Sequence, residues 1–313
     1  MKSVLEYYKA RTQEVLYQKN FEPLADAPSE ALESMRTKGY YVWENYYSSE
    51  ECSEIRSEID RLITENQQLI WKDDEDADNR VYFAERLSDQ IKGFSTDSRF
   101  HNLSNRYLKT KTSVLSTLAG RIRSKGDNKG SGGGWHRDTN MIHQFKSIVY
   151  LTDVTEETGP FEYLKGTQKK STLFELNKYG IKLNQNRLSE EEIALISEDR
   201  KYPKVQFTAK AGTCLLVDTS GIHRGRPLKS GERYALTNYF YQDPLYAAYI
   251  EGTQNEGYDF STCISSRYMD LQNYTLDHVS QIDYLGYHYL YTNNELQLFG
   301  IMSYLYYEND IYG

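Results

Sequence analysis

The spacing of apolar residues changes partway along the chain, and the change divides it into two kinds of structure. Up to about Leu108 the apolar positions follow helical intervals. The first 38 residues read as polar helices, with a short one over residues 29–38 that stops at Gly39, and Tyr40–Trp43 then reads as a strand. Ser48 with Glu51 three residues on is a capping-box pattern, and Ile55, Ile59, Leu62, Ile63 and Leu69 follow at helical spacing. That predicts a long amphipathic helix over residues 49–69, packed on the outside of a sheet. Residues 72–78 are acidic and read as a solvated loop. Phe94, Phe100, Leu103 and Leu108 predict one more helix over residues 90–108.

From Thr112 the period becomes that of strands, at residues 114–122, 145–151, 161–164, 205–208, 213–217 and 233–240. Turn signals such as Thr158-Gly159-Pro160, Ala211-Gly212 and Ser230-Gly231-Glu232 separate them. Few helical runs of crossover length intervene, so antiparallel pairing is favoured over βαβ units. The expected fold is mainly β with flanking helices, its core a cupin-like double-sheet jelly roll. Within that core, residues 165–204 are an insertion containing a helix over 189–197, capped by Ser189 and Glu192. Such an insertion suits a lid and a plain surface excursion equally. Beyond Tyr241 no clean period or repeat is visible, and residues 243–313 read as a Tyr-rich, mixed helical extension. The expected organisation is one decorated domain, 1–313: a helical region with an early strand (1–111), the catalytic core (112–242) and the extension.

Composition narrows the function classes. With 39% apolar and 26% charged residues the chain of 313 residues reads as a soluble globular protein. A net charge of −8 argues against a nucleic-acid binder that works by neutralising phosphates. Cys52, Cys214 and Cys263 form no Cys-x-x-Cys pair, so neither a disulfide framework nor a zinc knuckle is suggested, and a reducing cytoplasmic location suits them. No signal-peptide core and no membrane-spanning run is present in the sequence. Tyrosine is the oddity, with 29 copies; its apolar ring and polar tip suit a half-exposed packing surface better than a ligand-stacking platform.

The candidate chemistry sits after a glycine-rich turn, in Gly132-Gly133-Gly134-Trp135-His136-Arg137-Asp138. His136 and Asp138 are one residue apart, so on an extended segment their side chains leave the same face. His223, after the buried-looking strand ending at Asp218, is the best third donor. Two imidazoles and a carboxylate form the facial triad that suits mononuclear non-haem iron, with positions left open for other ligands. A His-x-Asp alone is weak evidence, and His136 taken by itself reads more readily as a hydrogen-bonded structural histidine. What changes the balance is Arg233, ten positions after His223 at a strand start, where a guanidinium could clamp a carboxylate. Lys146 shares a strand face with Ile148 and Tyr150, an unusual place for an ammonium inside a barrel. His143 reads as a loop or substrate-side residue; His101, His278 and His288 read as structural or exposed; Arg121 and Arg123 read as a solvated sheet edge.

Taken in order, Gly134-Trp135-His136-Arg137-Asp138, the run from Ile148 to Phe161 and Gly221-Ile222-His223-Arg224-Gly225 with Gly231-Glu232-Arg233 resemble the phytanoyl-CoA dioxygenase family. The resemblance covers residues 35–242 and neither end. It implies a double-stranded β-helix and the cofactors iron(II) and 2-oxoglutarate, with His136, Asp138 and His223 as metal ligands. It implies Arg233 as partner of the distal 2-oxoglutarate carboxylate, with Arg226 a nearby alternative. Lys146 falls where relatives contact 2-oxoglutarate; a second carboxylate contact and a snorkelling strand-end lysine both remain open. The implied reaction consumes O2, releases succinate and carbon dioxide, and hydroxylates a small or medium organic substrate. Relatives that halogenate carry a small residue where Asp138 stands, so the carboxylate points to hydroxylation. Two other readings fit the same jelly roll: a metal-dependent isomerase or hydrolase, and a non-catalytic binding protein working through the Tyr-rich extension.

Overall fold

The computed structural model describes residues 2–18, 21, 28–65, 70–72, 75–81, 84–126, 128, 130–139, 142–198 and 200–242. Two helices open the chain, α1 (Lys2–Gln18) and α2 (Ser29–Lys38), followed by β1 (Tyr40–Trp43) and α3 (Ser49–Glu65). Both capping boxes form. The Ser48 hydroxyl accepts from the Glu51 amide (3.1 Å) while the Ser48 amide donates to the Glu51 carboxylate (2.7 Å), and Ser189 and Glu192 repeat the exchange. Residues 66–69, the expected last turn of α3, lie outside the described residues.

Two expectations are corrected in the next stretch. The ends of the acidic segment, Lys72 and Asp78, lie in two strands that pair antiparallel, β2 (Ile70–Lys72) and β3 (Asp78–Val81), and not in a loop. The helical stretch after it is broken into α4 (Ala84–Leu87), α5 (Asp89–Ser95) and α6 (Ser98–Leu108). The break falls at Asp97, whose carboxylate accepts from the Arg99 amide (2.9 Å) and from the Tyr46 hydroxyl (2.7 Å), a cap competing with continuation of the helix.

The remaining strands are β4 (Thr112–Arg123), β5 (Phe145–Tyr150), β6 (Phe161–Leu164), β7 (Lys204–Phe207), β8 (Cys214–Asp218), β9 (His223–Gly225) and β10 (Glu232–Gln242). All pair antiparallel, in a seven-stranded sheet of order β1-β8-β5-β10-β4-β3-β2 and a three-stranded sheet of order β7-β6-β9. The jelly-roll expectation is borne out. β9 was not expected, because three residues are too few to show a period.

Period-2 alternation decides what each face of the large sheet meets. Val149, Cys214, Leu216, Tyr234, Leu236 and Phe240 turn outward and join a buried core with residues of α2, α3, α5 and α6. The inward residues Tyr150, Leu215 and Val217 meet Phe161, Tyr163 and Phe207 of the small sheet. β4 lies between β10 and β3, so Arg121 and Arg123 are not at a solvated edge: Arg121 pairs with Asp60 of α3 (2.6 Å) and Arg123 with Asp76 (3.1 Å).

The insertion carries α7 (Thr172–Glu175), a 3-10 turn at Leu176–Tyr179 and α8 (Glu190–Glu198). Its Leu176, Ile181, Leu188, Ile193, Ile196 and Tyr202 bury the outside of the small sheet at Trp135, Leu164 and Ile222. It therefore backs the sheet and is not a detached excursion. The Tyr-rich extension, His278, His288 and Cys263 lie outside the described residues.

The turn before β8 ties β1 to the sheet. The Gly212 carbonyl accepts from the amides of Tyr46 (2.8 Å) and Tyr47 (3.1 Å), at a φ of +87°, and an added Cβ would stand 2.0 Å from the Tyr47 carbonyl oxygen. Gly212→Ala should therefore lower unfolding free energy by about 1–3 kcal/mol, read from urea denaturation; an unchanged midpoint would contradict this packing.

Candidate metal centre

His136 and Asp138 lie just beyond the glycine-rich turn, on a segment paired with β9. The His136 amide donates to the His223 carbonyl and the His223 amide to the His136 carbonyl, both at 2.9 Å, so the two histidines face each other across one antiparallel bridge. The Asp138 amide donates to the Thr219 carbonyl (3.0 Å). These three backbone bonds bring together side chains far apart in sequence. The donor atoms of His136, Asp138 and His223 all lie within 4.8 Å of one another and could hold one metal ion.

Each ring is oriented by its own backbone. His136 Nδ1 lies 2.8 Å from the Gly134 carbonyl and His223 Nδ1 2.9 Å from the Gly221 carbonyl. A carbonyl only accepts, so both Nδ1 atoms carry hydrogen, and in the neutral ring it is Nε2 that has the lone pair a metal would use. The Nε2 atoms stand 3.6 Å (His136) and 3.9 Å (His223) from Asp138 Oδ1. Burial, then the neighbouring His136, pushes the His223 imidazolium pKa down to about 3, so the ring is neutral at pH 7. Phe161 stacks on it at 5.4 Å.

Asp138 divides its two oxygens. Oδ2 lies 2.6 Å from Lys146 Nζ, an ion pair rather than an aligned hydrogen bond, which leaves Oδ1 toward the histidines. Burial by itself would raise the carboxyl pKa, but the Lys146 ammonium and then the two histidines hold it well below the ordinary range. Burial likewise disfavours the Lys146 ammonium, and the Asp138 carboxylate outweighs it. Lys146 is 6% exposed and also sits 3.7 Å over the Tyr239 ring. It is thus a buried partner of the donor set, and the snorkelling alternative is excluded.

Arg233 is on the same, metal-facing side of the sheet, since Arg233, Ile122 and Asp78 are register partners and Tyr239 lies in phase with Arg233 along β10. It is buried, at 6% exposure, and its guanidinium has no hydrogen bond or ion pair among the described residues. Burial lowers its pKa, against the Tyr150 phenol and Asp78. Arg226 is instead engaged by Gln206 (3.0 Å) on the small sheet. Between Arg233 and Lys146 the metal-facing residues Leu118, Gly120, Ile148, Ala235 and Thr237 are half-buried, while their outward neighbours Ala119, Val149 and Leu236 are fully buried. A Cβ at Gly120 would meet nothing closer than 4.0 Å, so this floor is open. The donor chemistry fits iron(II), and a buried cation beside an open floor fits a carboxylate ligand.

Asp218, fully buried at the end of β8, was passed over in the sequence. Its Oδ1 accepts from the Gln144 amide (3.1 Å), the Ser220 amide (3.0 Å) and the Ser220 hydroxyl (2.6 Å), and its Oδ2 from the Tyr107 hydroxyl (2.6 Å) and His143 Nδ1 (2.5 Å). It fastens the loop to His223 onto the segment that follows Asp138. His143 is therefore neither a ligand nor a free loop residue; it belongs to this network. His101 is structural, bonded to the Ser95 carbonyl (2.9 Å). A carboxylate closing an otherwise apolar strand was the only available sign of Asp218. Arg187 and Gly132 complete the surroundings of His136: Arg187 Nη1 donates to the Gly132 carbonyl, and an added Cβ at Gly132 would stand 2.3 Å from His136 Cε1.

Burial would raise the Asp218 carboxyl pKa, but His143, by charge and hydrogen bond, then Lys170 and Ser220 hold it far below the ordinary range. A depressed folded-state pKa contributes stability that is complete above the unfolded value, ~3.9, and lost as pH falls below it. Asp218→Asn should cost about 2–3 kcal/mol at pH 7 and flatten the loss of stability below about pH 4. Denaturation midpoints across pH test this, and equal acid slopes in the two proteins would rule it out.

Residues 35–235 match the family model described as phytanoyl-CoA dioxygenase. An ectoine dioxygenase from Nocardia farcinica is 24% identical over 216 residues, covering 62% of this chain and 71% of that protein. Among solved structures, EctD from S. alaskensis in its apoform superposes with a TM-score of 0.55 at 16% identity, over 71% of this chain and 80% of that one. HygX from Streptomyces hygroscopicus, with nickel and 2-oxoglutarate bound, gives 0.51 at 17% identity, over 69% and 87%. Among the described residues no helix is long and apolar enough to cross a membrane.

Proposed function

The chain belongs to the phytanoyl-CoA dioxygenase family of iron(II)- and 2-oxoglutarate-dependent oxygenases, and from that premise we propose that it hydroxylates a small or medium organic molecule, using O2 and releasing succinate and carbon dioxide. The observation that carries this reading is the pairing of two features on one face. The donor atoms of three side chains lie within 4.8 Å of one another, and beside the open floor next to them stands a buried guanidinium with no hydrogen bond or ion pair among the described residues.

In this reading His136 Nε2, His223 Nε2 and Asp138 Oδ1 hold the iron, and Arg233 binds the distal carboxylate of 2-oxoglutarate. Bound iron supplies the oxidising chemistry: oxidative decarboxylation of 2-oxoglutarate coupled to insertion of oxygen into a C–H bond. The chain supplies orientation and exclusion of water. The carbonyls of Gly134 and Gly221 keep the Nδ1 hydrogens and fix both ring planes. Lys146 keeps Asp138 ionised and turns one oxygen aside, so the carboxylate offers the metal a single atom. Lys146 also shares the sheet face of that floor and serves as a second contact for the co-substrate's charge. Asp138 itself occupies the place that a halide would need, which favours hydroxylation. A metal-dependent isomerase or hydrolase would have no use for a buried carboxylate clamp in this position, and that disfavours the alternative.

Anaerobic addition of iron(II) and 2-oxoglutarate should give the weak visible charge-transfer band of the chelate, absent in His136→Ala. Arg233→Ala should raise the 2-oxoglutarate concentration needed for the band by about 100-fold, the scale of a lost charge-assisted contact of ~3 kcal/mol, with iron affinity little changed. A band that persists in His136→Ala, or loss of iron from Arg233→Ala, would reject these roles.

A further inference from the structure

The insertion is bonded to the strand that carries His136, and the hydrogen bonds say how. The Arg137 amide donates to the Asn186 carbonyl (2.8 Å) and the Leu188 amide to the Trp135 carbonyl (3.0 Å), so residues 186–188 run antiparallel to residues 135–137. Because His136 also bridges to His223, the small sheet continues past β9 through His136 to Arg187. His136 and Arg187 are directly opposed, so their side chains leave the same face. Leu188, next along, is buried with Trp135, which anchors the added strand in the core behind the sheet.

Arg187 then reaches the glycine turn. Its Nη1 donates to the Gly132 carbonyl and lies 3.4 Å from the Gly133 carbonyl. Gly132, at a φ of +84°, lies so close against the imidazole of His136 that a Cβ there would overlap Cε1, and Gly134 of the same turn accepts from Nδ1. The ring is therefore held between its own strand and a turn of positive-φ glycines, Gly130, Gly132, Gly133 and Gly134, which has little conformational preference of its own. The turn is bonded to β9, where the Gly225 amide donates to the Ser131 carbonyl (3.0 Å), and to the insertion, where the Arg187 guanidinium holds the Gly132 carbonyl beside the ring.

We propose that the insertion is part of the metal site, and that Arg187 is a positioning residue: it fixes the glycine turn against His136 and so sets the direction of the Nε2 lone pair. This rests on the reading of His136 as a metal ligand. The role carries a sign that separates it from simple electrostatics. A guanidinium near a dication repels it, so removing the charge alone would tighten metal binding. Removing a positioning contact loosens it, typically by about 10- to 100-fold.

The experiment is titration of the full chain with cobalt(II), read from its visible ligand-field spectrum, in the native protein and in His136→Ala, Arg187→Ala, Arg187→Lys and Gly132→Ala, with apoprotein melting temperatures alongside. The native protein should bind one cobalt, and His136→Ala should bind it far more weakly. Arg187→Ala should lose about 10-fold or more in affinity at a near-native melting temperature. Arg187→Lys, which still donates to the Gly132 carbonyl, should recover most of the loss. Gly132→Ala should weaken binding at least as much by pushing the ring aside. Unchanged or tighter binding in Arg187→Ala would overturn the proposal, as would a loss in Gly132→Ala with none in Arg187→Ala, or a loss in Arg187→Ala that tracks global unfolding. Absence of cobalt binding in the native protein would instead remove the metal-site reading itself, and this proposal with it.

Discussion

A carboxylate that stays ionised in a largely enclosed site between two sheets imposes its own surroundings, and Asp138 sets much of this molecule's layout. Burial opposes the charge, so the site must return what water would have given. Lys146 does this from β5 of the large sheet, whereas the histidines' bridge extends the small sheet at β9, and the ammonium is itself tolerable there only because Asp138 faces it. Each charge is the condition for the other. The pair also breaks the symmetry of the carboxylate, leaving one oxygen on the side where two imidazole lone pairs already point.

The second requirement is that the two candidate donors His136 and His223, separated in the chain by β5 to β8 and the insertion, stay in register. A single bridge between His136 and His223 would be weak support. It is reinforced on both sides. Asp218 gathers the loop before His223 and the segment after Asp138 onto one buried carboxylate, while the insertion extends the sheet beyond His136. The layers follow the same logic: helices cover the outside of the large sheet and the insertion the outside of the small one. Only the surface between the sheets then remains for chemistry, and there the half-buried floor at Leu118, Gly120, Ala235 and Thr237 lies open beside Arg233.

Much of the fold was legible in the sequence because burial on one face writes a period into the residues. The strands of the core, α2, the start of α3 and the capping of α8 all carry such patterns, and each formed. Where no face is apolar the signal vanishes. β3 reads Asp78-Asn79-Arg80-Val81, and its charged residues are buried because Arg80 pairs with Asp78 (2.6 Å), which no periodicity announces. The break at Asp97 is a competition between a side chain and the helix, decided by a cap and by Tyr46 from a distant turn.

The candidate donors were legible for a different reason: His136, Asp138, His223 and Arg233 are residue types whose chemistry restricts what they can do, and their order along the chain is recognisable. What the sequence by itself determined was therefore the class of architecture and the identities of the groups. Their relations were decided only in three dimensions. That Lys146 answers Asp138, that Arg233 is buried with no ion pair or hydrogen bond among the described residues, that Asp218 draws two loops together and that the insertion reaches His136 all depend on how residues remote in sequence are brought together. The physical reason is that period and composition record whether a side chain is buried, whereas charge pairing and hydrogen bonding record what it is buried against.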